Sequence, residues 1–266
     1  MKQHQPLVSI VMPAYQAAET LERSVRAVID QSMSEWELLL LVDAATDDTV
    51  PIAERLASED QRIRLCVSRK NRGVVRTRNI AVRLARGQYL AFCDSDDWWE
   101  RDKLAKQLNL LSGSRANFCY TSAIYVRLDL NWESAPARMP AHLDLNRLLK
   151  GNPIGMSTVL MDIRETGKCY FNPLPAPYVH EDYAYWVELF RLRNIRTVYL
   201  PEATTRVSIH KNTRSGNKWL AMRSQYYIIR RIAGSNVILS ALYILSYVFL
   251  ATYKRGLKTI FKQSFS

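Results

Sequence analysis

The chain has 266 residues, of which 48% are hydrophobic and 23% charged, with 9 glycines and 10 prolines; this excludes a low-complexity or disordered polymer and allows one large domain or two small ones. Lysine and arginine number 37 against 25 acidic residues, a net charge of +12, yet eleven of the basic residues fall between Ala203 and Ser266, where there is no Asp or Glu. The body before Ala203 is nearly neutral, so the basic character belongs to a tail suited to an anionic membrane surface or to nucleic acid.

"LVSIVM" (7 to 12) is a short apolar run stopped by Pro13 and predicts a buried strand. From Glu19, Leu21, Val25, Val28 and Ile29 recur at helical spacing. "WELLLLVD" (36 to 43) predicts a second buried strand, Thr49 to Leu56 a second helix, and "IRLCVS" (63 to 68) a third strand. "TRNIAVRLAR" (77 to 86) returns to helical spacing, with Gly87 as its C-terminal stop. "YLAFCD" (89 to 94) predicts a fourth strand, and Leu104, Leu108 and Leu111 one face of a following helix. This alternation predicts an α/β protein with a mostly parallel sheet covered by helices on both faces. "FNPLPAPYV" (171 to 179) reads as a loop, and "YAYWVELFRL" after His180-Glu181-Asp182 as a helix.

The four cysteines, Cys66, Cys93, Cys119 and Cys169, are far apart and lack metal-ligand spacing, which predicts buried free thiols. "MKQHQPLVSIVMPAYQ" has no signal-type apolar region, so a cytoplasmic location is expected.

In sheets of this kind ligands bind beyond the carboxyl ends of the strands. Those ends read Pro13-Ala14-Tyr15, Asp43-Ala44-Ala45, Ser68-Arg69 and Asp94-Ser95-Asp96-Asp97. No GxGxxG follows the first strand and no GxxxxGK[ST] occurs, which removes the main support for dinucleotide and P-loop readings. The acidic turn admits two readings, a cation site or a capping and turn cluster.

Four ordered segments carry a resemblance: "VSIVMPAYQAAETLERSVRAVIDQS", "LLLVDAATDDT", "NRGVVRTRNIAVRLARGQYLAFCDSDDWW" and "HEDYAYW". Together the chain resembles the family 2 glycosyltransferases of the GT-A (Rossmann-like) fold, especially bacterial enzymes that build surface polysaccharides. The match is close over residues 7 to 110 and looser over 150 to 215.

The resemblance implies a division of the chain and a role for each motif. Residues 1–215 are then a GT-A domain, with a nucleotide-sugar half (1–112) and an acceptor half (113–215), and 216–266 are a basic, apolar helical tail that associates with membrane. The DSDD cluster is similar to the family's DxD motif: Asp94 and Ser95 lie at the nucleotide-sugar, Asp96 takes Mn²⁺ or Mg²⁺, and Asp97 is a second ligand or a cap for a helix beginning near Glu100. His210 stands where some members place a further metal ligand; a surface histidine is the competing reading. By the same resemblance Pro13 and Tyr15 meet the nucleotide base, with Tyr15 either stacking on it or plugging the sheet edge. Asp43 accepts the base N3–H, which uracil or thymine supplies, although Val42 and Ala44 replace the first aspartate and the glycine usual in that loop. Arg78 reaches the diphosphate, with Arg72 or Arg76 as substitutes. Asp182 is the general base that takes the acceptor's proton, and Glu181 its neighbour that helps fix it; two acidic residues at a helix start also suit the helix dipole. Gly155-Met156-Ser157 lies toward the acceptor.

The expected activity is metal-dependent inverting transfer of a sugar from a nucleotide-diphosphate donor, a UDP-sugar, to a saccharide or lipid-linked saccharide acceptor. Ile232 to Tyr253 is uncharged over 22 residues between basic pairs, long enough for a membrane span. Basic flanks on both sides and a polar stripe at Asn236, Ser240, Tyr243 and Tyr247 favour a helix lying in the interface of the anionic inner leaflet. The rivals are a nucleotidyl or phosphoryl transferase on a similar sheet, and nucleic-acid binding by the tail. The tail's long uncharged run argues against the second, so no nucleic-acid partner is expected.

Overall fold

A computed structural model describes residues 5–210 and 218–246. Apolar runs form the strands β1 (Val8–Ala14) and β2 (Trp36–Asp43), the latter buried at all eight positions, as strands covered on both faces must be. Between them α1 (Leu21–Ile29) buries Leu21, Val25 and Val28, one turn apart. Next come α2 (Thr49–Glu59), β3 (Ile63–Ser68), α3 (Val74–Leu84) and β4 (Tyr89–Phe92). The order β3-β2-β1-β4 is parallel throughout, with Val8 opposite both Trp36 and Tyr89.

Beyond β4 the sheet changes character. β5 (Trp98–Trp99), α4 (Lys103–Ser112), β6 (Phe118–Arg127) and β7 (Trp132–Glu133) precede α5 (Leu145–Leu149), β8 (Val159–Asp162), α6 (Ile163–Thr166), α7 (Glu181–Leu192), β9 (Thr197–Ser208) and α8 (Lys218–Tyr227). β8 runs antiparallel to β4 and to β6, β9 runs parallel to β6, and β5 pairs antiparallel with β9. The sheet is therefore mixed: the parallel run expected from sequence holds over the first four strands, and beyond them β6 and β9 are also parallel among antiparallel pairs.

The chain forms two compact units. The first comprises Met1–Leu143, Pro153–Pro173 and Arg193–Thr213; the second comprises Asp144–Asn152, Leu174–Leu192 and Arg214–Ser266. The first holds the sheet and its core, with Ile10, Met12, Leu38, Leu40, Ala91 and Leu104 fully buried. The second packs Leu149, Tyr183, Ala184 and Val187 against Ile228 and Ile229.

Four expectations need correction. β4 ends at Phe92, which leaves Cys93 and Asp94 outside the strand. α4 starts at Lys103 after Asp102, so Asp97 does not cap it. Cys93 and Cys119 are buried thiols, but Cys66 is exposed on β3, at one end of the sheet, and Cys169 only half-buried. The uncharged stretch from Ile232 is not one continuous helix: a π-helical turn (Ile228–Ile232) ends at Ala233, Gly234 takes φ 74°, and a new helix runs over 237–246. Among the described residues no helix is long and apolar enough to cross a membrane, and 247–253 lie outside them.

Candidate functional site

Tyr15 follows the last residue of β1 and is 54% exposed, so it does not plug the sheet edge. Pro13 is half-buried within β1. Asp43 closes β2 and is buried, not solvated. Its carboxylate accepts the backbone N–H of Arg72 at 2.9 Å and of Gly73 at 2.8 Å, which folds the loop before α3 back onto the strand end. Gly73 enters α3 at φ 78°, a conformation glycine adopts without strain. Ala44 takes φ 54°, so the loop after Asp43 keeps a left-handed residue although the glycine usual there is absent.

The turn Asp94-Ser95-Asp96-Asp97 is held from three directions. From α1, Ser24 Oγ donates to the Ser95 carbonyl at 2.9 Å, and Arg23, its guanidinium 3.8 Å from the Trp98 ring centre, donates to the Asp96 carbonyl at 3.2 Å. From the 3₁₀ turn Met156–Thr158, Ser157 Oγ accepts from the Asp94 N–H at 3.1 Å and bonds Asp97 Oδ2 at 2.5 Å. From the end of β9, the Ser208 N–H donates to Asp97 Oδ1 at 2.9 Å, while Ser208 Oγ donates to the Asp96 carbonyl at 2.5 Å. Two residues further on, His210 Nε2 lies 2.8 Å from Asp96 Oδ2.

Each carboxylate of the turn thus has a different environment. Asp94 is paired with Arg78 at 2.5 Å, and Arg78 is buried with its guanidinium 5.5 Å from the Phe171 ring centre. Arg78 therefore braces Asp94, whereas Arg72 and Arg76 are exposed. Burial, then the Asp94 charge, raise the Asp96 carboxyl above its ordinary value, with His210 opposing the shift. Asp97 is pushed up further, by burial first and then by Asp94 and Asp96.

Asp96 and His210 keep 33% and 56% of their side-chain surface open, so an ion from solvent can reach both. The carboxylate oxygen suits Mn²⁺ or Mg²⁺, and the imidazole nitrogen, a softer ligand, favours Mn²⁺ of the two. Among the described residues no group of three or more His, Cys, Asp or Glu is arranged to hold a metal. A cation here fits only with further oxygens brought by water and by a ligand's phosphates, the usual habit of Mg²⁺ sites.

Glu181 and Asp182 open α7 in the second unit. Asn152 Nδ2 donates to Asp182 Oδ2 at 3.3 Å, and His180 precedes them at φ 77°, a left-handed turn into the helix. Tyr183 is anchored by its hydroxyl to the Leu148 carbonyl at 2.9 Å and by Gln225 at 2.9 Å, which fixes the first turn of α7.

Sequence reasoning found the acids of the turn but not what holds them. Ser157, read as facing the acceptor, bridges both ends of the turn. Arg23, Ser24 and Ser208 carried no signal; they lie 71 to 112 positions from their partners, and the pairing of β5 with β9, Trp98 with Arg206 and Trp99 with Thr205, brings β9 alongside.

The family model described as "Glycosyl transferase family 2" matches residues 9–164. Over 232 residues the chain is 32% identical to the putative teichuronic acid biosynthesis glycosyltransferase TuaG of Bacillus subtilis, covering 87% of this chain and 90% of that one. It is 30% identical over 251 residues to the Escherichia coli UDP-Glc:alpha-D-GlcNAc-diphosphoundecaprenol beta-1,3-glucosyltransferase WfgD, covering 94% and 95%. Among solved structures, S. aureus TarS 1-349 in complex with UDP-GlcNAc superposes with a TM-score of 0.68 at 17% identity, covering 91% of this chain and 71% of that one. The mannosyltransferase PcManGT of Pyrobaculum calidifontis, in complex with GDP-Man and Mn2+, gives 0.65 at 15% identity, covering 94% and 74%. The order of the strands, the acidic turn at their carboxyl ends and these likenesses agree: the chain is a GT-A-type glycosyltransferase and belongs to glycosyl transferase family 2.

Proposed function

We propose that the protein transfers a sugar, with inversion, from a UDP-sugar to a lipid-linked saccharide during bacterial surface-polysaccharide synthesis, and that it needs Mn²⁺ or Mg²⁺. The observation that carries this reading is the meeting of Asp96 and His210 beside the half-buried carboxylate of Asp94, which the buried Arg78 braces. A divalent cation held by Asp96 and His210 would offset the charge that builds on a departing diphosphate. Tyr15 offers an open ring for base stacking, and Asp43, which already takes two backbone N–H groups, keeps lone pairs for the imide N–H of uracil. Asp94 and Ser95 belong to the wall facing the donor, and Arg72 or Arg76 supply forks for phosphate oxygens.

Asp182 acts as general base. The acceptor hydroxyl oxygen bonds to the anomeric carbon, the bond from that carbon to the phosphate oxygen breaks, and the hydroxyl proton passes to the Asp182 carboxylate. Glu181 keeps the start of α7 acidic, where the helix dipole favours negative charge. A positioned base of this kind contributes about 10² to 10⁴ in rate. The acceptor class follows the relatives: WfgD is named for a diphosphoundecaprenol-linked substrate and TuaG for teichuronic acid biosynthesis. With such an acceptor the enzyme would work at the inner face of the cell membrane.

The test is calorimetric titration with UDP-, GDP- and dTDP-sugars, with and without Mn²⁺, alongside release of nucleoside diphosphate. A UDP-sugar is expected to bind with Mn²⁺ and weakly without it; Asp96→Asn loses the metal dependence, and Asp182→Asn binds normally but turns over about 10² to 10⁴ times more slowly. Equal turnover in Asp182→Asn, or binding indifferent to metal, overturns the reading.

A further inference from the structure

We propose that Asp97 is a positioning residue and not a ligand of the cation: with Ser157 it locks the acidic turn to the end of β9, and so keeps His210 on Asp96. The proposal rests on the reading of Asp96 and His210 as the metal pair.

The geometry separates the neighbouring aspartates. Asp97 is 5% exposed and each of its oxygens is already engaged, Oδ1 with the Ser208 N–H and Oδ2 with Ser157 Oγ. Asp96 points the other way, toward solvent and His210. Ser157, itself buried, bonds the first residue of the turn through the Asp94 N–H and the last through Asp97, so one hydroxyl sets the span of the turn. Its own carbonyl is fixed by Trp99 Nε1 at 2.9 Å and by Thr205 Oγ1 at 3.2 Å, the latter on β9. Ser208 then joins β9 to the turn twice, through Asp97 and through the Asp96 carbonyl. His210 comes after a single residue. A shift of β9 against the turn would break both Ser208 bonds and draw His210 away from Asp96 with them. Residues that orient metal ligands in this way typically alter affinity by about 10- to 100-fold when removed.

The experiment measures Mn²⁺ affinity of the full-length protein with UDP present, by electron paramagnetic resonance of free Mn²⁺, for the parent and for Asp96→Asn, Asp97→Asn, Asp97→Ala and Ser157→Ala. Thermal unfolding of each variant is followed in parallel. Asparagine at 97 can still accept from the Ser208 N–H and donate to Ser157 Oγ, so Asp97→Asn is expected to stay within about threefold of the parent, while Asp97→Ala and Ser157→Ala weaken Mn²⁺ by about 10- to 100-fold. Loss of Mn²⁺ in Asp97→Asn as severe as in Asp96→Asn makes Asp97 a ligand and overturns the proposal. So does parent-like affinity in Ser157→Ala when Asp96→Asn has lost the metal, a result that leaves the metal pair intact. If Asp96→Asn binds Mn²⁺ as the parent does, the metal pair itself is wrong and the proposal falls with it.

Discussion

Lys103 enters the core of the first unit beside Leu104, its ammonium 4.2 Å from the Trp99 ring centre and 2.5 Å from Gln107 Oε1. Burial lowers its pKa from 10.5 to about 7, against weak opposition from the buried Cys119 and Cys93. Between these two values the unfolded chain holds a proton that the folded chain has released, so stability must rise with pH across that window, by at most ~1.4 kcal/mol per unit. Lys103→Met keeps the unbranched shape and removes the titrating group. Urea unfolding at pH 6.5 and pH 9 is expected to show the variant more stable than the parent at the lower pH, with the gap closing at the higher one; a gap that does not change with pH would contradict the assignment. Nothing in "DKLAKQLNLL" marks this lysine as buried. The apolar face at Leu104, Leu108 and Leu111 was legible, whereas the burial of Lys103 depends on Gln107 and Trp99 turning toward it. The acidic turn shows the same division, since residue type announced Asp94 and Asp96 and only the folded contacts tell Asp96 from Asp97.

Gly87 sits between α3 and β4, where the sequence suggested a helix stop. The helix has already ended at Leu84 with Ala85 as its cap, and the glycine serves the sheet instead. A Cβ at Gly87 would lie 2.6 Å from the Ser9 nitrogen and 2.8 Å from the Val8 carbonyl carbon, both backbone atoms of β1 that cannot step aside. Its N–H donates to Ser9 Oγ at 2.8 Å, and that hydroxyl bonds the buried Glu37 of β2 at 2.6 Å, so one cluster sets the starting edge of β1, β2 and β4. Gly87→Ala is expected to destabilise by about 1 to 3 kcal/mol through this overpacking, seen as a lower urea midpoint; an unchanged midpoint would show that β1 and β4 can part without cost. The first four strands and the helices between them were legible because β1, β2 and β4 are continuous apolar runs and each helix between them buries a periodic apolar face. The second half was not, because β8, β6, β9 and β5 pair in an order unlike their order in the chain and mix both directions.

For the whole molecule, the polar stripe expected along the tail's helix turns only in part toward the protein, and Asn236 itself is exposed. Ser240 is buried, Tyr243 bonds Asn146 at 3.1 Å, and Asn236 caps the helix through the Leu239 N–H; Tyr247 lies outside the described residues. The open side is apolar, with Ile238 75% and Leu245 66% exposed and Val237 and Leu242 beside them. In a region of eleven basic and no acidic residues, this ridge fits an interfacial helix on anionic lipid. Full-length protein should co-sediment with vesicles rich in phosphatidylglycerol and poorly with phosphatidylcholine alone, and Ile238→Asp with Leu242→Asp should cut binding at least about tenfold; undiminished binding by that variant would remove the ridge from the contact. The acidic turn also bears on the nascent chain. Asp97 takes its hydrogen bond from a residue 111 positions later, and Asp96 meets its histidine 114 positions later. At about 5–20 residues per second of translation, roughly 6 to 20 seconds separate the turn's synthesis from that of these partners. A ribosome that stalls before Thr197 therefore holds a chain whose first four strands are complete while its acidic turn has no β9 to close on.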